Sequence, residues 1–379
     1  MQLQRRVPSR YAVFLAAFVV CAITLLVVTI RPAAKYRSVP LQWLRLAELA
    51  SLEPIDVHTH VFEANPDLVR MLERWHMHVL DIMYIDHATP ILASAECERQ
   101  AALQFARSSM GHVRLCTTFD PYRVNDPDFS KSTVDQLNRD FASGAVAVKI
   151  WKNVGMEIRN GSDQFLMPDD PIFESIHTDI AQHHKTLITH SAEPDAAWTG
   201  TGIYSAYYSE NPQWNMFQKP AAPSKAAILR ARDHVLVSHP DLRVIGAHFG
   251  SMEDHLEDVA THLNLYPNFA VDTAARMPSL MTQPRDKVRA FILHYQDRIL
   301  YGTDLTFYQG SLGKNAGEDH RLSPTVWRNR YAAEWRYLAT SDTFDYFGMR
   351  VTGLDLPRSV LKKIYHDNAV RWVWGVNAN

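Results

Sequence analysis

Beyond residue 53 the sequence alternates short, β-rich apolar runs with stretches whose apolar residues recur every three or four positions. No other feature restricts the fold as much. Eight such runs stand out: Ile55 to Val57, Val79 to Ile85, Val113 to Phe119, Ala145 to Trp151, Thr186 to Thr189, Arg243 to Ala247, Asn268 to Asp272 and Arg298 to Gly302. The stretch Ser224 to Val237 (SKAAILRARDHVLV) is typical of what separates them. Two strands joined by a helix lie parallel, because the crossover brings the chain back to the same end of the sheet. Eight strand-helix units predict a closed (β/α)8 barrel, the TIM-barrel class, filling residues 53–379 as one domain.

Two connections are too long to be turns. The first runs from His190 to Asp241 and carries Trp198, Tyr204, Tyr207, Tyr208, Trp214 and Phe217. Barrel active sites are built by the loops that follow the strands, so this excursion is a candidate substrate wall, with Trp198 as a pocket residue. Packing of these aromatics onto the barrel is the competing reading. The second excursion follows the eighth run, with Gly310, Gly313 and Gly317 ahead of a helical pattern from Val326 to Leu338.

The N-terminus reads differently. Tyr11 to Ile30 holds no charged residue and has the length to cross a hydrocarbon layer of ~30 Å as a helix. Arg5, Arg6 and Arg10 precede it, and the apolar stretch exceeds that of a cleavable signal peptide. The sequence predicts a signal anchor over 1–31, a linker over 32–52 with Pro32 and Pro40, and the barrel after it. On that reading the membrane is a partner and the catalytic domain lies on the extracytoplasmic side, although Arg31, Lys35 and Arg37 weaken the charge asymmetry that sets orientation.

Composition removes some alternatives. A net charge of -2, with scattered Lys and Arg, offers no field for a phosphate backbone, so nucleic acid is excluded as a partner. The only cysteines, Cys21, Cys97 and Cys116, cannot make a disulfide scaffold or a four-thiolate metal site. Histidine, at 18 residues, is the abundant ligand type.

Asp56-Val57-His58-Thr59-His60 ends the first run, and side chains two apart on a strand project from one face, so both imidazoles can reach one ion. His-x-His alone is weak evidence: His76 and His78 share the spacing but precede the second strand, at the wrong end of a barrel. The first pair gains weight from its company. His190 ends the fifth run, His248 ends the sixth and Asp304 follows the eighth, so all five converge on one mouth if the barrel forms. Three nitrogens and a carboxylate suit one divalent ion, Zn2+ first, with a position left for water.

These residues, with Lys149 in VAVKIW, THSAEP around His190, GAHFGS around His248, YGTD ending in Asp304 and KIYHDN from Lys363, resemble the amidohydrolase superfamily from about Pro54 to the end. The resemblance is nearest to its amidohydrolase-related branch, which includes aminocarboxymuconate semialdehyde decarboxylase. It implies His58, His60, His190 and Asp304 as metal ligands and His248 as the residue that polarises substrate or moves a proton. Asp304 would also take a proton from the activated water. Lys149 is the ambiguous member: carboxylated, it could bridge a second metal, and in a one-metal site it need not be a ligand. Asp272, Glu193 and Arg276 are further pocket candidates.

The reaction expected first is hydrolysis of a small-molecule ester, lactone or amide by metal-activated water. Non-oxidative decarboxylation of a small carboxylic acid is the alternative, and it requires a cation for the substrate carboxylate, for which Arg276 and Arg159 are candidates. A membrane-anchored barrel that only binds is a third reading, against which the complete ligand set argues.

Overall fold

The computed structural model describes residues 46–85, 94–307 and 324–374. Eleven strands occur among them. Nine form one parallel sheet: β1 (Ile55–Val61), β2 (His78–Ile82), β3 (Val113–Thr118), β4 (Ala147–Ile150), β5 (Thr186–Thr189), β6 (Arg243–Gly246), β7 (Phe269–Asp272), β8 (Ile299–Leu300) and β9 (Leu305–Phe307). The order is β8-β7-β6-β5-β4-β3-β2-β1-β9. Because β8 and β9 are successive pieces of one chain stretch, the sheet returns to its first strand: Leu305 pairs with Thr59, and Val57 N–H donates to Tyr301 O at 2.9 Å. β10 (Thr343–Tyr346) and β11 (Met349–Thr352) make a separate antiparallel hairpin.

The main crossover helices are α1 (Pro66–Arg74), α2 (Ala95–Ser108), α3 (Phe129–Ala142), α4 (Glu174–Gln182), α5 (Lys225–Ser238), α6 (Leu256–Leu265) and α7 (Arg285–His294), followed after β9 by α8 (Pro324–Ala339). Their starts follow local chemistry. Asn65 accepts from Asp67 N and Leu68 N, with Pro66 in the first turn, and Ser94 and Ser224 cap α2 and α5 through Cys97 N and Ala227 N.

The core has two layers. Leu72, Phe105, Leu137, Phe173, Val244, Val259 and Val288 pack between sheet and helices. Ile55, Val57, Leu80, Ile82, Cys116, Ala147, Ile188, Ile245, Ala270 and Leu300 fill the inside of the sheet, where Ala369, Trp372 and Val373 join them. Strand periodicity carries this inner row toward the mouth: Ala147 leads to Lys149, Ile188 to His190, Ala270 to Asp272, and Leu300 through Gly302 to Asp304.

β1 breaks that periodicity. Ile55 and Val57 belong to the inner layer and Val61 to the outer one, so regular alternation would send His58 and His60 outward. The β1–β2 register shifts between Asp56 and Thr59, and this bulge reverses the parity of the strand. Both histidines thereby join the inner side, and all seven residues of β1 are buried.

The predicted fold class needs correction. The structure is a (β/α)8-like parallel α/β fold whose last strand is split in two, so that nine strands stand where a regular eight were expected. Among the described residues no helix is long and apolar enough to cross a membrane. The run on which the anchor rested, 11–30, lies outside the described residues, so the membrane partner and the extracytoplasmic placement are not carried forward. Gly310, Gly313 and Gly317 also lie outside them.

Candidate active site

Three imidazoles are fixed by the same device. The Nδ1–H of His58 donates to Asp272 Oδ2 at 2.8 Å, that of His60 to Ile82 O at 2.8 Å, and that of His248 to Ala274 O at 2.9 Å. A ring engaged through Nδ1–H presents Nε2 as an acceptor, and here Nε2 faces the interior. Asp304 Oδ1 lies 3.2 Å from His60 Nε2 and 3.5 Å from His58 Nε2. Ligand atoms of His58, His248 and Asp304 all lie within 4.8 Å of one another.

His190 belongs to the same neighbourhood but not to that tightest group. Its ring centroid is 4.2 Å from that of His248, and its Nε2 is 3.8 Å from Glu193 Oε1. Both of its ring nitrogens are buried without a hydrogen-bond partner. Lys149, fully buried, brings Nζ to 3.3 Å from His58 Nε2 and 5.2 Å from the centre of the Trp151 ring. By contrast, His78 opens β2 opposite Ile55 and stacks on His112 at 5.0 Å, so it stands at the far end of its strand.

The electrostatics follow from this packing. Burial alone would raise the Asp304 carboxyl, but the close approach of His60 and His58 and the charge of Lys149 hold it well below the usual carboxylate range. Burial pushes His190 and His248 well below the ordinary imidazole value, and nearby cations add to the effect. Burial also lowers Lys149 to about 8 and raises Asp56 to about 7.

The loops that present these groups are held by a few shared acceptors. Asp56 Oδ1 accepts from His58 N at 3.0 Å and Thr303 N at 3.1 Å, while Oδ2 accepts from Thr303 Oγ1 at 2.6 Å and Tyr331 OH at 2.9 Å. Asp304 itself adopts φ 64° and donates its N–H to His58 O at 2.8 Å. Gly302 packs closely beside it, since a Cβ there would come 3.0 Å from His58 Cβ.

His248 starts a turn in which four successive residues are left-handed: His248 (φ 58°), Phe249 (57°), Gly250 (64°) and Ser251 (61°). Each of the non-glycine residues gives up roughly 1–2 kcal/mol in that conformation, so the surroundings must impose it. Asp272 Oδ1 accepts from His248 N at 2.7 Å, Ser251 N donates to His248 O at 3.0 Å, and Ser251 Oγ donates to Ala192 O. Asp272 therefore serves both His58 and His248.

Outside the imidazoles lies a buried set of paired charges. Glu193 Oε1 meets Lys152 Nζ, and its Oε2 accepts from Tyr208 OH at 2.9 Å and lies 3.7 Å from Arg276 Nη2. Arg276 Nε is 2.8 Å from Glu253 Oε1. Lys152 also sits 4.3 Å from the centre of the Trp214 ring, and Arg276 sits 5.3 Å from that of Tyr204, so the aromatic excursion is fastened to this set. Trp198 packs within the excursion and donates Nε1–H to Pro223 O at 3.1 Å. Arg159 is exposed, paired with Asp163 and stacked on Phe165 at 3.9 Å. Sequence reading picked out Glu193 and Arg276, and Tyr208 as one of the excursion's aromatics, but not Lys152 or Glu253, whose only signal was charge inside otherwise apolar or aromatic surroundings.

No curated protein matches the chain. Among solved structures it is similar to 2,6-dihydroxybenzoate decarboxylase from Rhizobium, with 12% identity, 84% of this chain and 98% of that one covered, and a TM-score of 0.48. It is similar to dihydroorotase from Campylobacter jejuni, with 12% identity, 84% and 82% coverage, and a TM-score of 0.46. A third is 5-carboxyvanillate decarboxylase from Novosphingobium aromaticivorans, complexed with manganese and a nitrobenzoic acid, with 12% identity, 84% and 95% coverage, and a TM-score of 0.44. Residues 55–373, which span the sheet and every group described above, match the amidohydrolase family, and the chain belongs to it.

Proposed function

We propose that this amidohydrolase is a metal-dependent hydrolase acting on an uncharged carbonyl substrate, an ester, lactone or amide. The observation that carries the choice of reaction is the pairing of the cations that line the wall around the imidazoles; the other buried cation, Lys149, stands against His58 Nε2 inside the proposed metal site. Decarboxylation requires a cation for the substrate carboxylate, yet Arg276 is engaged by Glu253 and Glu193, Lys152 by Glu193, and Arg159 by Asp163. At Arg276 or Lys152 a carboxylated substrate would have to displace a buried carboxylate from its partner, which is costly, and Arg159 is an exposed residue paired with an exposed Asp163.

The residues present fit a divalent cation. With Nδ1–H committed on His58 and His60, the Nε2 lone pair of each lies within 3.5 Å of the Asp304 Oδ1 acceptor, an arrangement that a cation relieves. His190 adds a buried ring neither of whose nitrogens is hydrogen-bonded. His58, His60, His190 and Asp304 would hold one ion, and this N/O donor set suits Zn2+. When bound, such an ion supplies Lewis acidity and a water acidic enough to lose its proton near neutral pH.

The chain's own groups do the rest. Asp304, kept ionised, accepts a proton at its carboxylate. His248, with its ring orientation fixed through Ala274 O, moves a proton at Nε2 on the substrate side. Asp272 orients the His58 ring and the backbone of His248 together. Glu193 and Trp198 belong to the wall and act on substrate shape rather than on the reacting bond.

One observation favours a second reading. Lys149 has no carboxylate within salt-bridge distance among the described residues, and its Nζ lies against His58 Nε2. If carboxylated it would become the bridging ligand of a two-metal site. The test is metal analysis of the purified full chain, followed by a panel of lactones, esters, amides and aromatic carboxylic acids. Hydrolysis with about one equivalent of metal is expected. CO2 release from the acids without hydrolysis of the others would reject the assignment.

A further inference from the structure

We infer that Arg232, on the outer side of the sheet, is a positioning residue for His248. The inference rests on the role given above to His248. Arg232 lies on α5, only 1% exposed. A buried guanidinium is costly unless each face is engaged. Its Nε and Nη2 donate to Asp233 Oδ1 at 3.0 and 2.7 Å, its plane lies 4.8 Å from the centre of the Phe269 ring, and Nη1 donates to Gly250 O at 2.8 Å. The pair with Asp233 could form at the surface. The bond that requires the side chain to enter the core is the one to Gly250.

Gly250 is the third residue of the left-handed turn that begins at His248. Asp272 and Ala274 fix the start of that turn, and Arg232 is a donor that reaches its later half from outside the mouth. The packing leaves no slack. A Cβ on Gly250 would lie 3.1 Å from Phe269 Cζ and 3.2 Å from Arg232 Nη1, and one on Gly246 would lie 2.6 Å from Phe269 Cζ. Turn, Phe269 and Arg232 therefore form one packed unit. Without the Gly250 bond, Ser251 keeps its ties to His248 O and Ala192 O, but the middle of the turn loses its donor and Phe249 can relax from a conformation that non-glycine residues disfavour. That relaxation rotates the backbone of His248 and moves its ring from its place 4.8 Å from His58 and 4.2 Å from His190.

The test uses full-length protein labelled with 15N-histidine. The ring signals of His248 are identified as those missing from His248→Asn. Arg232→Met keeps an apolar stem of similar length and removes the donors, and Arg232→Lys restores one. In Arg232→Met the His248 signals should leave the single Nδ1–H tautomer pattern, while those of His60, anchored on Ile82 O, stay in place. Metal per chain should hold, and turnover of 4-nitrophenyl acetate should fall about 10–100-fold with KM unchanged, the cost of a displaced reacting group. Arg232→Lys should recover part of both changes. Unchanged His248 signals in folded Arg232→Met would overturn the inference. If that variant does not fold, unchanged signals in Arg232→Lys overturn it, and shifted ones support it. Full turnover in His248→Asn would instead remove the chemical role of His248, leaving its positioning to be judged by the ring signals alone.

Discussion

Asp272 Oδ2 lies 2.8 Å from His58 Nδ1, while its Oδ1 accepts the backbone N–H of His248 at 2.7 Å. One carboxylate thus sets the tautomer of a proposed metal ligand and the first residue of the left-handed turn. Asp272→Ala should weaken metal affinity about 10–100-fold, the usual cost of losing such a partner, and should lower turnover further through His248. Competition with a chelator measures the first effect. Wild-type affinity in the variant would show that the His58 ring is held without Asp272.

His58→Ala and His190→Ala should each sharply reduce bound metal, whereas His248→Asn should keep it and lose about 10²–10⁴-fold in turnover. Placement of His248 in the tightest ligand group, with His190 beside it, makes this comparison decisive. Metal lost with His248→Asn and kept with His190→Ala would exchange their roles. Loss in both, together with two equivalents in the wild type, would bring in Lys149 as a bridge.

Acid stability should depend on His177, which is remote from the metal ligands. Burial, helped by His239, pushes its pKa down to about 3 from an ordinary 6.5, and its Nε2 has no hydrogen-bond partner. Above pH 6.5 the ring is neutral in both folded and unfolded chains. As pH falls from 6.5 toward 3 only the unfolded chain takes up the proton, so stability declines by about 1.4 kcal/mol per pH unit from this group. His177→Phe should flatten the denaturation profile over that window, whatever its effect on absolute stability. An unchanged slope would mean that the histidine already protonates in the folded protein.

The parts of this architecture that were legible in the sequence are those encoded locally. Apolar runs marked the strands, and His190, His248 and Asp304 stood out because chemistry-bearing residues at strand ends are rare without a common target. The bulge in β1 was not legible, since nothing in Asp56-Val57-His58-Thr59 marks a register shift that depends on pairing with β2. Arg232 was hidden for a related reason: within an amphipathic stretch an arginine reads as surface, and its buried partner Gly250 lies 18 residues away. The pairing of Glu193 with Lys152, 41 residues apart, likewise exists only once β4 and β5 are neighbours. The hydrophobic run at the N-terminus had the opposite difficulty, being prominent in sequence and lying outside the described residues.

The charge-paired wall makes a prediction of its own. Glu253 is fully buried, and among the described residues its one ion pair is with Arg276 Nε at 2.8 Å, so Glu253→Gln leaves there a buried guanidinium with the weaker 3.7 Å approach of Glu193. Breaking a buried pair from one side costs about 3–5 kcal/mol, and replacing both partners with apolar groups costs much less. The single variant should therefore unfold at a lower denaturant concentration, and Glu253→Met combined with Arg276→Met should recover much of the loss. Specificity should shift in the same direction as the freed charge. With Arg276 released, Glu253→Gln should bind carboxylated aromatic compounds more tightly than the wild type while losing little affinity for neutral lactones. Calorimetric titration with benzoate and with a neutral lactone separates the two effects. Equal benzoate affinity in both proteins would mean that Glu253 does not restrain Arg276, and the case for an uncharged substrate would lose its support.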